Sequence, residues 1–174
     1  MKIFTLLNNT NFSEFLLTYY SFKKLNLNKN LHVYCEDSNL VDKIRDEKIS
    51  VSTINIYKNK DDVVGFLLKD TGAKENENLF FIESGVLLKK NPFSIGNTSL
   101  FFADLVFLKE YNNYSVFCIK NSQEIRQTLE KKGKLNLKYL QKLLEKKEGN
   151  ILVLPSSNDY YEENSSSFFL EGEV

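Results

Sequence analysis

The feature that most constrains this chain is a repeated alternation of short apolar runs with stretches whose apolar residues recur at helical spacing. The runs at 2–7, 31–35, 51–57 and 79–82 are each too short for a buried helix and are rich in Ile, Val, Phe, Tyr and Leu, so they read as strands. Between the first two lie Phe12, Phe15, Leu16, Tyr19 and Phe22, spaced for one face of a helix. A shorter helix carries Leu40, Val41 and Ile44, and a third, opened by Asp61 and Asp62, carries Val63, Val64, Leu67 and Leu68. Strand–helix alternation of this kind predicts an α/β domain with a mixed, mostly parallel sheet flanked by helices.

Local signals sharpen the expected boundaries. Asn11 is placed to cap the first helix, with Glu14 completing a capping box, and Ser38 to cap the second. Leu79-Phe80-Phe81-Ile82 is the most apolar short run and predicts a central strand buried on both faces. Further strands are expected at 100–108, 114–119 and 151–154, and helices at 122–129 and 136–146. At 174 residues the chain has room for one domain, read as 1–160, followed by a weakly patterned C-terminal tail, 161–174, that is either mobile or docked through Phe168 and Phe169.

Composition excludes several classes. With 23 basic and 23 acidic side chains the formal charge is zero, which argues against holding nucleic acid by bulk phosphate attraction. No apolar run reaches the roughly 18–20 residues of a membrane span, and the opening turns polar at Asn8-Asn9, too soon for a signal peptide. A cytoplasmic location is expected, the host cytoplasm if the AT-rich style of the coding genome is viral. A single His and two Cys leave little for zinc or Ser-His-Asp chemistry, so Cys35 and Cys118 read as reduced core thiols and His32 as structural.

In an open α/β sheet, ligands bind beyond the carboxyl ends of the strands. Three segments fall there: Leu7-Asn8-Asn9-Thr10, Glu36-Asp37 and Glu83-Ser84-Gly85. The chain has no Gly-rich phosphate loop of either the P-loop or GxGxxG kind, which argues against P-loop kinases, GTPases and ordinary dehydrogenases. Glu36 and Asp37 could bind a ribose or a base, although by residue type and place a solvated strand end running into a helix cap is the readier reading.

The run from Asn78 to Phe93 resembles the metal-site strand of GT-A nucleotide-diphospho-sugar glycosyltransferases: an apolar strand, an Asp-x-Asp motif, further apolar residues, then Pro followed by Phe or Leu. In gap-free register Glu83 takes the place of the first Asp, Ser84 the middle residue and Gly85 the second Asp. The segments 3–9, 31–37, 113–122 and 149–155 are similar to other strands of that fold in the same order, so the resemblance spans about 2–155. It implies a single GT-A-like, Rossmann-like domain. It implies that Thr5, Leu7, Asn8, Glu36 and Asp37 meet the base and ribose, that Ser84 and Gly85 meet the diphosphate, and that Asn113 serves the donor or acceptor side. It further implies a nucleotide-sugar donor, UDP-linked by analogy, and an acceptor that is a glycan, protein or lipid.

The family's divalent cation, manganese or magnesium, bridges protein and diphosphate through carboxylates. In this chain Glu83 is the one metal-ligating carboxylate left at the motif, and the family's small residue and Gly after Asn113 become Tyr114 and Ser115. Lys58, Lys60, Lys89 and Lys90 could supply positive charge in the metal's place, or be solvated. Two readings stay open: a compact glycosyltransferase with Glu83 and Asn113 as its catalytic residues, and a pseudoenzyme that keeps the fold as a binding or interaction module. A third, an unrelated nucleotide-binding domain, would show a flavodoxin-like strand order.

Overall fold

A computed structural model describes residues 2–57, 77–91, 105–107, 116–120, 151–153 and 161–163. In chain order the elements are β1 (Lys2–Leu7), α1 (Phe12–Lys24), β2 (Leu31–Cys35), α2 (Ser38–Asp46), β3 (Thr53–Ile56), β4 (Leu79–Ile82), β5 (Val86–Leu88), β6 (Leu105–Phe107), β7 (Val116–Ile119), β8 (Ile151–Val153) and β9 (Tyr161–Glu163). The helices expected at 61–71, 122–129 and 136–146, and Asn113, Phe168 and Phe169, lie outside the described residues.

Among the described residues, seven strands form one sheet in the order β3-β2-β1-β4-β7-β6-β8. β1 runs parallel to β2 and β4, β2 to β3, and β6 to β8, while β7 is antiparallel to both β4 and β6. This is the expected mixed, mostly parallel sheet, and its β3-β2-β1-β4 half follows the Rossmann-like order, not the flavodoxin-like one. Every strand of the sheet except β7 therefore ends at one edge, and β7 begins there, because Val116 pairs with Ile82.

Alternation along the strands divides the core. Ile3, Leu7, Leu31, Val33, Cys35, Phe80 and Ile82 form one cluster with Phe12, Phe15, Tyr19 and Phe22 of α1 and Leu40 and Ile44 of α2. The intervening residues Phe4, Leu6, Tyr34, Leu79 and Phe81 are buried too, so these central strands are withdrawn from water on both faces. On that second face His32 stacks on Phe4 at 5.1 Å between ring centroids, and its Nδ1 lies 2.8 Å from Thr53 Oγ1. Burial and the nearby Lys2 charge lower its pKa to about 4, so the ring is a neutral, structural one.

α1 and α2 each end in a Schellman motif. Leu27 N donates to Phe22 O and Asn26 N to Lys23 O, with Asn26 left-handed at φ 57°. In α2, Ile49 N donates to Ile44 O and Lys48 N to Arg45 O, with Lys48 at φ 54°. The N-termini depart from the expected caps. Asn11 stands at the cap position of α1 without a side-chain cap bond. Its Oδ1 instead accepts from Asn8 N at 2.8 Å and its amide donates to Leu6 O at 3.4 Å. For α2 the cap is Asp37, one residue earlier than Ser38, because Asp37 Oδ1 accepts from Leu40 N at 3.1 Å.

Cys35 and Cys118 are both buried and free. They sit on β2 and β7, three strand spacings apart, or about 14 Å. A disulfide needs Cα atoms within about 7 Å, so the two thiols cannot pair.

Candidate functional site

The three segments singled out in the sequence converge at the carboxyl edge of β3-β2-β1-β4. After β1 the chain turns through Asn8, whose Oδ1 accepts from both the backbone N and the hydroxyl of Thr10, at 2.9 and 2.7 Å. This turn holds Asn9 outward over the end of β2. There Asn9 N donates to Glu36 Oε2 at 3.2 Å, and the Asn9 amide donates to the same oxygen at 3.4 Å and to Asp37 Oδ2 at 2.8 Å. One side chain thus gathers two adjacent carboxylates into a single acidic wall.

The bond from Asn9, followed by that from the Leu40 N–H, holds the Asp37 carboxyl below its ordinary range. Asp37 is therefore at once the helix cap and half of the acidic wall. Tyr57, at the carboxyl end of β3, stands beside them: its backbone N donates to Cys35 O at 2.9 Å. Burial first, then the neighbouring Glu36 carboxylate, pushes its phenol up.

The opposite wall is the turn after β4. The Ser84 hydroxyl donates to Leu6 O at 2.8 Å and lies 3.5 Å from Thr5 Oγ1. Since its one proton is committed to Leu6, Thr5 is the donor of that second contact. Thr5 and Ser84, both expected at the site, are thus brought into direct contact, with Thr5 fully buried beneath. Gly85 is buried with φ 99°, a conformation that a Cβ would strain. Its N–H donates to Thr18 Oγ1 at 2.9 Å, and Leu88 N donates to Ser21 Oγ at 3.0 Å.

Other expectations change. Leu7 is expected at the base and ribose; its side chain is buried in the core and its carbonyl accepts from Glu36 N at 2.8 Å, which extends the pairing of β1 with β2 by one residue. Lys89 is expected near the diphosphate rim. It follows β5, four residues and about 13 Å of extended chain beyond Gly85. There it lines a groove of about 420 Å³ between α1 and β5 with Leu17, Tyr20 and Leu87. Lys58, Lys60 and Asn113 lie outside the described residues.

The turn does not fit the family's metal. Glu83 is exposed and has its carboxylate to offer, but the Ser84 hydroxyl points inward to Leu6 O and Gly85 has no side chain. Among the described residues no group of three or more His, Cys, Asp or Glu could hold a metal ion. Also among them, no helix is long and apolar enough to cross a membrane.

Tyr57 and Thr18 are contributors that the sequence does not single out, and Asn9 is marked there only as part of the segment 7–10. Asn9 and Tyr57 carry one usable signal, their place just after or at the end of a strand. Thr18 carries none, because a Thr on the buried face of a helix reads as core.

No protein-family model matches the chain, and no curated protein matches it in sequence. Solved structures do match its fold. A cytidylyltransferase from Leptospira borgpetersenii superposes with a TM-score of 0.63 at 13% identity, over 95% of this chain and 78% of that one. The mannosyltransferase PcManGT from Pyrobaculum calidifontis, in complex with GDP-Man and Mn2+, gives 0.60 at 8% identity, over 90% of this chain and 55% of that one. The glycosyltransferase GlyE of Streptococcus pneumoniae gives 0.56 at 12% identity, over 88% of this chain and 44% of that one. The chain thus spans only about half the length of these two glycosyltransferases. Its architecture is the GT-A type fold of nucleotide-sugar glycosyltransferases.

Proposed function

We propose that the protein binds a nucleotide sugar at the carboxyl edge of β3-β2-β1-β4 and transfers its sugar to a glycan, protein or lipid acceptor. The observation that carries this reading is the pairing of two walls at that edge: an acidic wall gathered by Asn9, and the Glu83-Ser84-Gly85 turn locked to β1 through Leu6 O. Carboxylates accept hydrogen bonds from ribose hydroxyls and from base N–H groups, so the wall of Glu36 and Asp37 suits the nucleoside. Thr5, Asn8, Ser84 and Gly85 frame the way to the diphosphate. Glu83, exposed at the head of the second wall, is the first candidate for a catalytic role, with Asn113 as the second. A UDP-linked donor is the first to test, and the GDP-Man complex of the Pyrobaculum neighbour makes a GDP-linked one the second.

A second reading, a pseudoenzyme that binds the nucleotide without turning it over, draws support from Gly85. The position that would carry the second carboxylate has left-handed backbone and a buried N–H, so the turn is built around the absence of a side chain. Under either reading this chain's own residues do the binding, and no step is assigned to a metal.

The test is thermal stabilisation by UDP- and GDP-sugars, each with and without manganese, with CTP included because of the cytidylyltransferase neighbour. A ligand at about 100 times its dissociation constant adds roughly 2.7 kcal/mol. A shift with one sugar nucleotide, followed by release of its diphosphate, supports the transferase. A shift without turnover supports the pseudoenzyme, and no shift with any nucleotide sugar sinks the donor reading.

A further inference from the structure

We propose that Thr18, in the middle of α1, is a positioning residue of the donor site, an inference that rests on the donor reading above. Thr18 is fully buried, and its hydroxyl serves two partners at once. The proton goes back along the helix to Glu14 O at 3.3 Å, and the oxygen accepts from Gly85 N at 2.9 Å. Ser21, one turn on, repeats the arrangement: its proton goes to Thr18 O at 2.7 Å and its oxygen accepts from Leu88 N at 3.0 Å. The two hydroxyls clamp the two ends of β5 to the helix, while β9 pairs with the strand itself.

The two ends are not equivalent. Leu88 ends the strand at the groove, away from the site. Gly85 belongs to the turn that faces the site, where Val86 N donates to Glu83 O at 3.2 Å. Gly85 has the widest backbone freedom of any residue, so φ 99° is not enforced by its own sterics. The bond of its N–H to Thr18 fixes the Ser84–Gly85 peptide on the helix side, as the bond of Ser84 Oγ to Leu6 O fixes the turn on the β1 side, so the turn keeps its place only while both anchors hold. The same helix starts directly from the Asn8–Asn11 turn, so α1 sets the spacing between the acidic wall and the Glu83 turn.

Three variants test this. Thr18→Val removes the acceptor at nearly constant volume, Thr18→Ser keeps it, and Ser21→Ala removes the equivalent bond at the far end of β5. Gly85 amide exchange, followed by NMR, is expected to be slow in the wild type and in Thr18→Ser, and about tenfold faster in Thr18→Val. Calorimetric titration with UDP-glucose and GDP-mannose should show an affinity loss of about tenfold for Thr18→Val, near wild-type affinity for Thr18→Ser, and a change within about twofold for Ser21→Ala.

A purely structural role predicts equal effects of Thr18→Val and Ser21→Ala on affinity, and that result overturns the proposal. So does unchanged Gly85 exchange in Thr18→Val. If Thr18→Val does not fold, Thr18→Cys takes its place, because its sulfur accepts only weakly, and the same ordering is expected. A wild-type protein that binds neither probe overturns the donor reading and the positioning role together, while the exchange data still report separately on the clamp.

Discussion

The Asn9 amide donates to Asp37 Oδ2 at 2.8 Å, joining the turn after β1 to the residue that caps α2. The contact links a local duty, ending the helix, to a long-range one, closing the gap between two strand ends. Removing Asn9 should therefore change an acid that it does not neighbour in sequence. In Asn9→Ala the Asp37 carboxyl is expected to rise towards its ordinary pKa, read by NMR titration. Asp37 is held low in the folded state, so its contribution to stability is present above the unfolded-state pKa and is lost as pH falls through the folded value. Wild-type protein should lose more stability than Asn9→Ala over that acid window. Identical profiles would show that Asn9 does not hold the acid.

Restoring a carboxylate at the turn should carry a structural cost. Gly85→Asp places a Cβ at φ 99° on a buried backbone and is expected to destabilise the protein by about 1–3 kcal/mol in urea unfolding. Manganese should not recover that loss. A variant as stable as the wild type that also binds manganese would show that the backbone does not require a glycine at this turn.

His32 gives a second pH signature. Its folded pKa is about 4 against 6.5 for the free side chain, so the native state favours the neutral ring. Its contribution is complete above pH 6.5 and is lost as pH falls towards 4. Urea midpoints should drop over that range in the wild type and drop less in His32→Gln, and an NMR titration of the ring should show the depressed value directly.

The thiols should be silent in the native protein. Burial pushes Cys35 up to about 12 and Cys118 well above its ordinary value, so alkylation at mildly basic pH should be slow until denaturant is added, when both react. Reductant should leave the unfolding midpoint unchanged. A midpoint that falls with reductant would mean a disulfide, which the strand order forbids.

Lys48 occupies a left-handed position where glycine is favoured, at the end of α2. Lys48→Gly relieves that strain at some cost in unfolded-chain entropy and is expected to stabilise by about 0.5–1 kcal/mol. A drop in the unfolding midpoint would count against the Schellman assignment.

The sheet was largely legible because its signals are local and redundant. Lys2–Leu7, Leu31–Cys35 and Leu79–Ile82 are strands as read, and the Rossmann-like order follows the alternation of strands and helices. The caps were less legible. Ser38 and the residue before it are both good caps by type, and only the bond to Leu40 N selects Asp37. The expected role of Asn11 failed for a related reason: its side chain had a second set of partners, Asn8 N and Leu6 O, that only the folded turn brings near. The clamp at Thr18 and Ser21 was out of reach, because 67 residues separate each hydroxyl from its β5 partner and no periodicity encodes such a pairing. Leu7 marks the limit of position-based reasoning: its place at the end of a strand could be read, while the burial of its side chain could not.

The two walls of the site differ in what can disturb them. One is held in part by the Asp37 carboxylate, whose bond from Asn9 weakens as that acid takes up a proton. The other is held by Ser84, Thr5 and Thr18 hydroxyls and peptide groups, none of which changes charge across the working range of a cell. Acidification would thus loosen the junction between Asn9 and Asp37 while leaving the shape of the turn after β4 alone.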